Sequence, residues 1–459
     1  MISGFDYGTS NCAIGVINSA TQKAQLLPLE NEQYFLPSTL YALGRELICE
    51  QVVNNITNEA LKREYIESRG ANLSAASRFR RKENLGANEQ CLFFGHAAFK
   101  EYFALPGEGY FVKSPKSFLG ANGVSAEHIR FFEDLVTSMM VHVKRRAEAH
   151  SQTELTNTVI GRPVNFQGLN SEQSNTQALA ILDVSAKRAG FKSVEFLYEP
   201  IAAGLDFERQ LNDDKKVLII DIGGGTTDCA MVCMGPSHLK KAVKGDRTED
   251  FIGHSGERIG GNDFDIQLAA KALLPLLGMN SLLRNGLPMP TQIYWNAIST
   301  NDVGAQTEFN SLQSSLLVDR LLIDTKAPEL FKRFVQMRNH KQNQHVVASA
   351  EQAKIQLSKA TQVDAALDYI EPALSSTITF DEMKAAVRKP LTQMISVLDE
   401  TIAQAALEPD LIYITGGSSR SPVIRQTIKK HLGDIEVVDG DHFGSVANGL
   451  TLWAKNIFA

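Results

Sequence analysis

Two short turns carry the residues best suited to chemistry. Asp6-Tyr7-Gly8-Thr9-Ser10-Asn11 and Asp221-Ile222-Gly223-Gly224-Gly225-Thr226-Thr227-Asp228 each place an acid ahead of glycines and hydroxyls. Glycine lets consecutive backbone N–H groups converge on an anion at close range. The pair therefore suits a nucleotide triphosphate, with Gly8, Thr9 and Ser10 holding part of the phosphate tail and Gly223, Gly224, Gly225 and Thr226 the rest. A third glycine pair, Gly416-Gly417, stands before a helix start at Ser421-Pro422 and suits the α-phosphate or the nucleoside. The acids sharpen this reading. A carboxylate beside phosphate is repulsive unless a divalent cation lies between them, so Asp6 and Asp221 predict magnesium, contacted through water because Mg²⁺ keeps most of its shell. Asp6 alone would read as a turn-opening residue; a second copy in matching context reverses that. No Walker or dinucleotide-binding glycine pattern occurs at any of these turns.

Glu199, just before Pro200, is placed to orient a water for attack on a γ-phosphate. The plainer reading is an acid at a helix start, where the helix dipole favours negative charge. Lys113 and Lys116, in Phe111-Val112-Lys113-Ser114-Pro115-Lys116-Ser117, are candidates for the cation that neutralises charge in phosphoryl transfer. An exposed lysine is the commoner explanation for either one.

The elements that must position these groups are legible in outline. Ile2 to Phe5 and Ala13 to Ile17 flank the first turn, and Val217 to Ile220 and Cys229 to Met234 flank the second, so each reads as a hairpin. The acids lie about half the chain apart, as two lobes of one ancestry would place them. Thr158 to Ile160, Val194 to Tyr198 and Leu411 to Ile414 read as further strands. Phe131 to His150, Asn175 to Ala189 (closed by Gly190) and Ser349 to Lys359 (opened by a capping box from Ser349 to Gln352) read as helices. Strands alternating with helices make an α/β fold. Leu43 to Gly109 and Gly278 to Gln344 are weakly patterned elaborations, and the basic cluster Arg78-Phe79-Arg80-Arg81-Lys82 reads as a solvated helix face.

Composition excludes other classes. With 43% hydrophobic and 21% charged residues, the chain has ample apolar material for a core, which excludes disorder. A net charge of −6 provides no global pull toward nucleic acid or an anionic membrane. The 5 cysteines show neither metal-site nor disulfide-scaffold spacing. No basic leader opens the sequence, and no run approaches the roughly 18 apolar residues of a membrane span. A cytoplasmic protein with no nucleic-acid or membrane partner is the expectation.

The combined motifs resemble the actin-like ATPase superfamily, specifically the nucleotide-binding domain of DnaK-type heat-shock protein 70 chaperones. The turn at Asp6 is similar to that family's first phosphate signature, and Asp221 to Asp228 resembles the second, with Thr227 where the chaperones usually have Phe. Gly260-Gly261-Asn262-Asp263-Phe264-Asp265 resembles their G-G-E-D-F-D element, and Glu199-Pro200-Ile201-Ala202-Ala203 their E-P-T-A-A segment. Glu351-Gln352-Ala353-Lys354 resembles the E-x-A-K helix, and Ile414 to Pro422 the adenosine motif.

The resemblance implies an actin-like ATPase fold: two duplicated, ribonuclease H-like lobes around a central nucleotide cleft, each with an outer subdomain. Lobe I would take residues 1–210 (outer part about 40–130) and lobe II residues 211–459 (outer part about 262–350). It implies ATP/ADP and Mg²⁺ as ligands and slow hydrolysis of ATP to ADP and phosphate. Thr9, Ser10, Gly224, Gly225 and Thr226 would cradle phosphates, and Asn11, Gly223, Thr227, Gly260 and Gly261 lie in the same blocks. Asp6 and Asp221 would set the hydrated metal. Glu199 and Asp228 would position the attacking water, and Lys116 would be the catalytic lysine, with Lys113 as the fallback. Glu351, Lys354, Ser358, Gly416, Gly417, Ser418 and Arg420 would enclose ribose and adenine. Ile355 stands where the chaperones carry an arginine that stacks on adenine, which implies weaker affinity for the base.

Because the sequence stops nine residues after Leu450, the expectation is an ATPase portion without a peptide-binding domain. The nearest likeness is then the YegD-like group of chaperone relatives. The function expected is a nucleotide-dependent conformational switch read by an unknown protein client or co-chaperone. Two other classes on the same fold remain open, a sugar or other small-molecule kinase and an actin-like filament-forming scaffold.

Overall fold

In a computed structural model, residues 1–166, 171–242, 248–441 and 444–458 are described. The first sheet holds β1 (Ile2–Tyr7), β2 (Asn11–Ile17), β3 (Ala24–Leu26), β4 (Leu36–Pro37), β5 (Asn157–Arg162) and β6 (Ser193–Tyr198). Its order is β3-β2-β1-β5-β6, with β4 also on β2. β2 runs antiparallel to β1, and β5 and β6 follow in parallel. The second sheet holds β7 (Lys215–Ile222), β8 (Thr227–Met234), β9 (Phe251–Glu257), β10 (Leu411–Thr415) and β11 (Val437–Asp439), in the order β9-β8-β7-β10-β11. Here too the hairpin partner is antiparallel and the two strands on the far side are parallel. The same path is traced twice, as the paired turns predict.

β7 shows why the strands are apolar throughout. Val217 and Ile219 point into one core with Val159, Ala202 and Leu450, whereas Leu218, Ile220 and Ile222 point into another with Met394, Leu398 and Ile424. Both faces are covered, so period-two alternation of polar and apolar residues disappears. Fully burying each such side chain contributes about 1.5–3 kcal/mol.

α1 (Ala126–Ser151) and α2 (Ser171–Arg188) cover the outer face of the first sheet through Val136, Met139, Ile181 and Leu182. Gly190, at φ +96°, ends the loop-out after α2 as expected. Between the sheets lie α3 (Glu199–Glu208) and α6 (Ser445–Phe458). A Cβ on Gly449 of α6 would collide with the Ala202 carbonyl, and one on Gly4 of β1 with the backbone of Thr451. The final helix therefore lies backbone to backbone against the first sheet.

The elaborated stretches are ordered. Thr39–Ala42, Leu92–Phe94 and Tyr110–Lys113 form a three-stranded sheet beside the helix Glu59–Lys82. That helix escaped the periodicity reading because it buries only Tyr65, Arg69 and Ala76. Its basic end is mostly solvated, as expected, although Arg80 pairs with Glu50 at 2.7 Å. In the second half, α4 (Gly261–Leu268) opens a helical block that includes α5 (Asn343–Leu357) and continues into the hairpin Gln362–Ala366/Ser375–Thr379, past the expected limit near 350. The capping box expected at Ser349 is corrected: the helix already starts at Asn343, and the Ser349 hydroxyl instead meets the Tyr369 hydroxyl at 3.0 Å. Spacing alone does not separate a cap from a helix interior.

Candidate functional site

The two hairpin bends together line a cleft of about 410 Å³. In the first, Tyr7 pairs with Cys12 and the bend is Gly8-Thr9-Ser10. Ser38 grips it, its hydroxyl donating to the Gly8 carbonyl (2.7 Å) and its amide to the Ser10 carbonyl (2.8 Å). In the second, Ile222 pairs with Thr227 and the bend is Gly223 to Thr226. The Gly223 carbonyl accepts from the Gly261 amide (3.0 Å) and the Ser418 hydroxyl (3.0 Å), and the Gly224 carbonyl from the Asn262 amide (2.7 Å). With the carbonyls turned outward, no described hydrogen bond uses the amides of Gly224 or Gly225. The bends touch: a Cβ on Gly224 would collide with Ser10 Oγ, and one on Gly225 would lie 2.6 Å from Thr9 Cγ2. Gly416, at φ +84°, brings the third glycine turn so near that a Cβ there would lie 2.6 Å from Asp221 Oδ1.

Below the bends Asp6, Glu199, Asp221 and Asp228 gather around one ammonium group. Lys116 Nζ lies 2.5 Å from Glu199 Oε1 and 3.5 Å from the Gly161 carbonyl. A left-handed Ser114 (φ +57°) at the end of the strand Tyr110–Lys113, then Pro115, turn the chain so that Lys116 points inward. Burial, then the charge of Glu199, raises Asp6 to about 7; burial and Glu199 raise Asp228 likewise to about 7. Asp221 rises well above the ordinary carboxylate value, through burial first and then Glu199, Asp228 and Asp6. Burial alone would lower Lys116, but Glu199 and Asp6 outweigh it and hold the ammonium above its usual value.

Four acids against one lysine is a cluster that favours a further cation. Its donors are all oxygens, the set a hard divalent ion prefers. Among the described residues no group of three or more His, Cys, Asp or Glu converges as a metal cage. A hydrated Mg²⁺ touching few carboxylates fits that arrangement.

The far wall is α5 with the third glycine turn. Glu351 and Lys354 share a helical face, and each is engaged by another element: Glu351 by Lys113 at 2.6 Å, Lys354 by Asp265 at 2.7 Å and by the Gly261 carbonyl at 3.1 Å. Burial would raise Glu351, but Lys113 and Lys354 together hold it below its usual value. Ile355 lines this wall and is 51% exposed.

Of the residues singled out in the sequence, Asp6, Gly8, Thr9, Ser10, Asn11, Glu199, Asp221, Gly223, Gly224, Thr226, Gly261, Glu351, Lys354, Ser358, Gly416, Gly417, Ser418 and Arg420 line the cleft. Lys116, Asp228, Gly225, Thr227 and Gly260 lie behind that surface. Thr227 turns its hydroxyl to the Ile259 carbonyl (2.8 Å), and Asp228 Oδ1 accepts from the Val164 amide (2.6 Å), bracing β8 against the loop after β5. The two candidate lysines are separated: Lys116 meets Glu199, Lys113 meets Glu351. Sequence reading missed Phe35, Asn262, Ser445 and Val446 as lining residues. Asn262 stood inside a recognised motif and could have been found; Phe35 carried no signal.

Comparison with known proteins agrees with this geometry. Residues 123–254 match the MreB/Mbl protein family and residues 317–454 the Hsp70 protein family. The fold is that of the actin-like ATPases. Within that class the chain is similar to Hsp70 proteins, at low identity. It is 25% identical to heat shock 70 kDa protein 13 of Homo sapiens over 99% of this chain and 88% of that protein, and 24% identical to the Mus musculus counterpart over the same shares. It is 23% identical to chaperone protein dnaK3 of Synechococcus elongatus over 66% of this chain, a match that spans only 32% of that relative's length. No helix among the described residues is long and apolar enough to cross a membrane.

Proposed function

We propose that the protein binds Mg-ATP between the two bends, hydrolyses it slowly, and works as a nucleotide-dependent conformational switch for a protein client or co-chaperone. One observation carries this reading: two acid-headed glycine bends, one from each half, meet directly over a buried carboxylate–lysine cluster. The amides of Gly224 and Gly225 bind phosphate oxygens, and Glu351 and Lys354 hold the ribose side with Gly416 to Ser418 and Arg420. Asp6 and Asp221 hold the hydrated Mg²⁺, which supplies charge neutralisation for the phosphates. Glu199 accepts a hydrogen bond from the attacking water and orients it, and Lys116 holds the Glu199 carboxylate and offsets negative charge as the phosphoryl group transfers. Asp228 keeps β8 in register with the first half. Since grip and chemistry come from different halves, loss of the γ-phosphate removes a link between them, which is how a client senses hydrolysis.

Calorimetry with Mg-ATP, paired with a steady-state ATPase assay, tests the reading. Binding that needs magnesium, with slow release of phosphate, is expected. Absence of Mg-ATP binding overturns it, and phosphorylation of an added sugar at the expense of ATP replaces the switch with a kinase.

A further inference from the structure

A second cavity, of about 600 Å³, lies between the elaborated part of the first half and α1. It shares no lining residue with the cleft between the bends. Its size is in the range of small-molecule sites. The floor is apolar: Leu29, Leu47, Cys91 and Leu92 are buried there beside the ring of Phe94. The imidazole of His142, which also lines the cavity, lies against that ring with centroids 4.4 Å apart and planes 21° from parallel. Burial, and then the charge of Arg146, lowers His142 to about 4, so the imidazole is neutral near pH 7. The two rings make a flat, uncharged platform.

The walls carry charges that are already engaged. Arg80 pairs with Glu50 at 2.7 Å and donates to the Gly86 carbonyl. Glu89 accepts from the Gly86 amide at 2.9 Å, and Glu30 meets His96 Nδ1 at 2.7 Å. Arg146 Nε donates to the Leu29 carbonyl at 2.8 Å. An anionic ligand would meet three acids here, and a metal ion would find those acids bound elsewhere. The carboxamides, in contrast, are not engaged. Asn31, Gln51, Asn54 and Asn88 line the same cavity, and their side chains have no hydrogen-bond partner among the described residues. One such residue is ordinary solvated surface; four around one apolar floor make a lining. A carboxamide sets donors and an acceptor side by side, which complements a hydroxyl that both donates and accepts.

We propose that this cavity binds a neutral saccharide of one or two rings, its hydroxyls on the carboxamides and the C–H face of a ring on His142 and Phe94. The site is independent of the nucleotide reading and transfers no phosphoryl group.

Calorimetry and saturation-transfer NMR on the full chain test this, with glucose, galactose, mannose, maltose, sucrose and trehalose as probes. Glutamate, arginine and inorganic phosphate serve as charged controls, and each solute is offered with and without Mg-ATP. At least one saccharide is expected to bind in both conditions and to be recovered unphosphorylated. Gln51 and Asn54 are three apart on the helix Leu47–Asn55 and share a face. Replacing both, Gln51→Leu with Asn54→Leu, is expected to weaken that binding about 20-fold, and Asn88→Leu, on an exposed segment where folding is not at risk, about 5-fold, the scale of one neutral hydrogen bond. Mg-ATP affinity should not change in either variant. The sugar that binds is then offered coupled to a carrier protein: binding of the free form alone marks a small-molecule ligand, and binding of both a glycan. Absence of binding by every saccharide overturns the proposal, as does binding confined to the charged controls or binding of wild-type strength in both variants. A sugar that emerges phosphorylated also overturns it, because that places the sugar in the cleft.

Discussion

The two bends share one topology but are held in different ways. The first is held by hydrogen bonds from Ser38, which serves the Gly8 and Ser10 carbonyls. The second is held by backbone from α4 and by the hydroxyl of Ser418, so it forms one body with Lys354 and the third glycine turn. Lys116 and Glu199, to which the proposed function gives the chemistry, lie on the first half's side. The two halves share a frame, and what stands on each frame differs: in the proposed function the second half grips and the first half reacts. A protein divided this way would turn over only when its halves are together.

The division is tested most severely at Glu199. Glu199→Gln is expected to cut single-turnover hydrolysis by about 10² or more, the scale for a positioned acid–base group, with Mg-ATP affinity by calorimetry near wild type. Lost binding with intact rate would put the grip on the first half. Gly224→Val is expected to act in the opposite sense. Its side chain meets Ser10, and overpacking of about 1–3 kcal/mol corresponds to a loss of about 5- to 150-fold in affinity.

Asp221→Asn separates stability from function. Asp6 and Asp228 hold protons up to about 7, against 3.8 for an ordinary aspartate, and Asp221 is raised as well. For groups raised in the folded state, the stability they contribute is full below 3.8 and is lost as pH rises through about 7. The nucleotide-free protein is therefore expected to melt at a lower temperature at pH 8 than at pH 6. Asp221→Asn should melt higher than wild type at pH 8 and bind Mg-ATP poorly. Magnesium needs the ionised acids, so wild-type Mg-ATP affinity should climb across the same pH range; affinity that is flat with pH would take these acids out of the metal site. Ser38→Ala has the mildest expected effect. It removes the hydrogen bond to the Gly8 carbonyl and the longer contact with Cys12 Sγ, together about 1 kcal/mol or about 5-fold in affinity, and an effect as large as that of Gly224→Val would erase the contrast between the bends.

What the sequence made legible follows from local rules. The bends could be read because glycine, hydroxyl and acid are each demanded within a few residues, and β7 because eight consecutive residues enter the sheet. The helix Glu59–Lys82 could not, since its few buried positions include Arg69, whose charge is met by Glu133 (2.8 Å) and Asp134 (3.1 Å) on a distant helix. Nor could Lys113 be told from Lys116. The left-handed backbone at Ser114 sends them to opposite sides of the site, and nothing in the identity of a serine announces that conformation.

The closeness of Gly4 and Gly449 to their neighbours has a consequence during synthesis. β1 leaves the ribosome well before the helix that covers its inner side, which is translated hundreds of residues later. Until Ser445–Phe458 arrives, Val159 and Ala202 face an unfilled groove. The nascent first half is therefore a natural client for cellular holding factors, in a chain that itself resembles a chaperone.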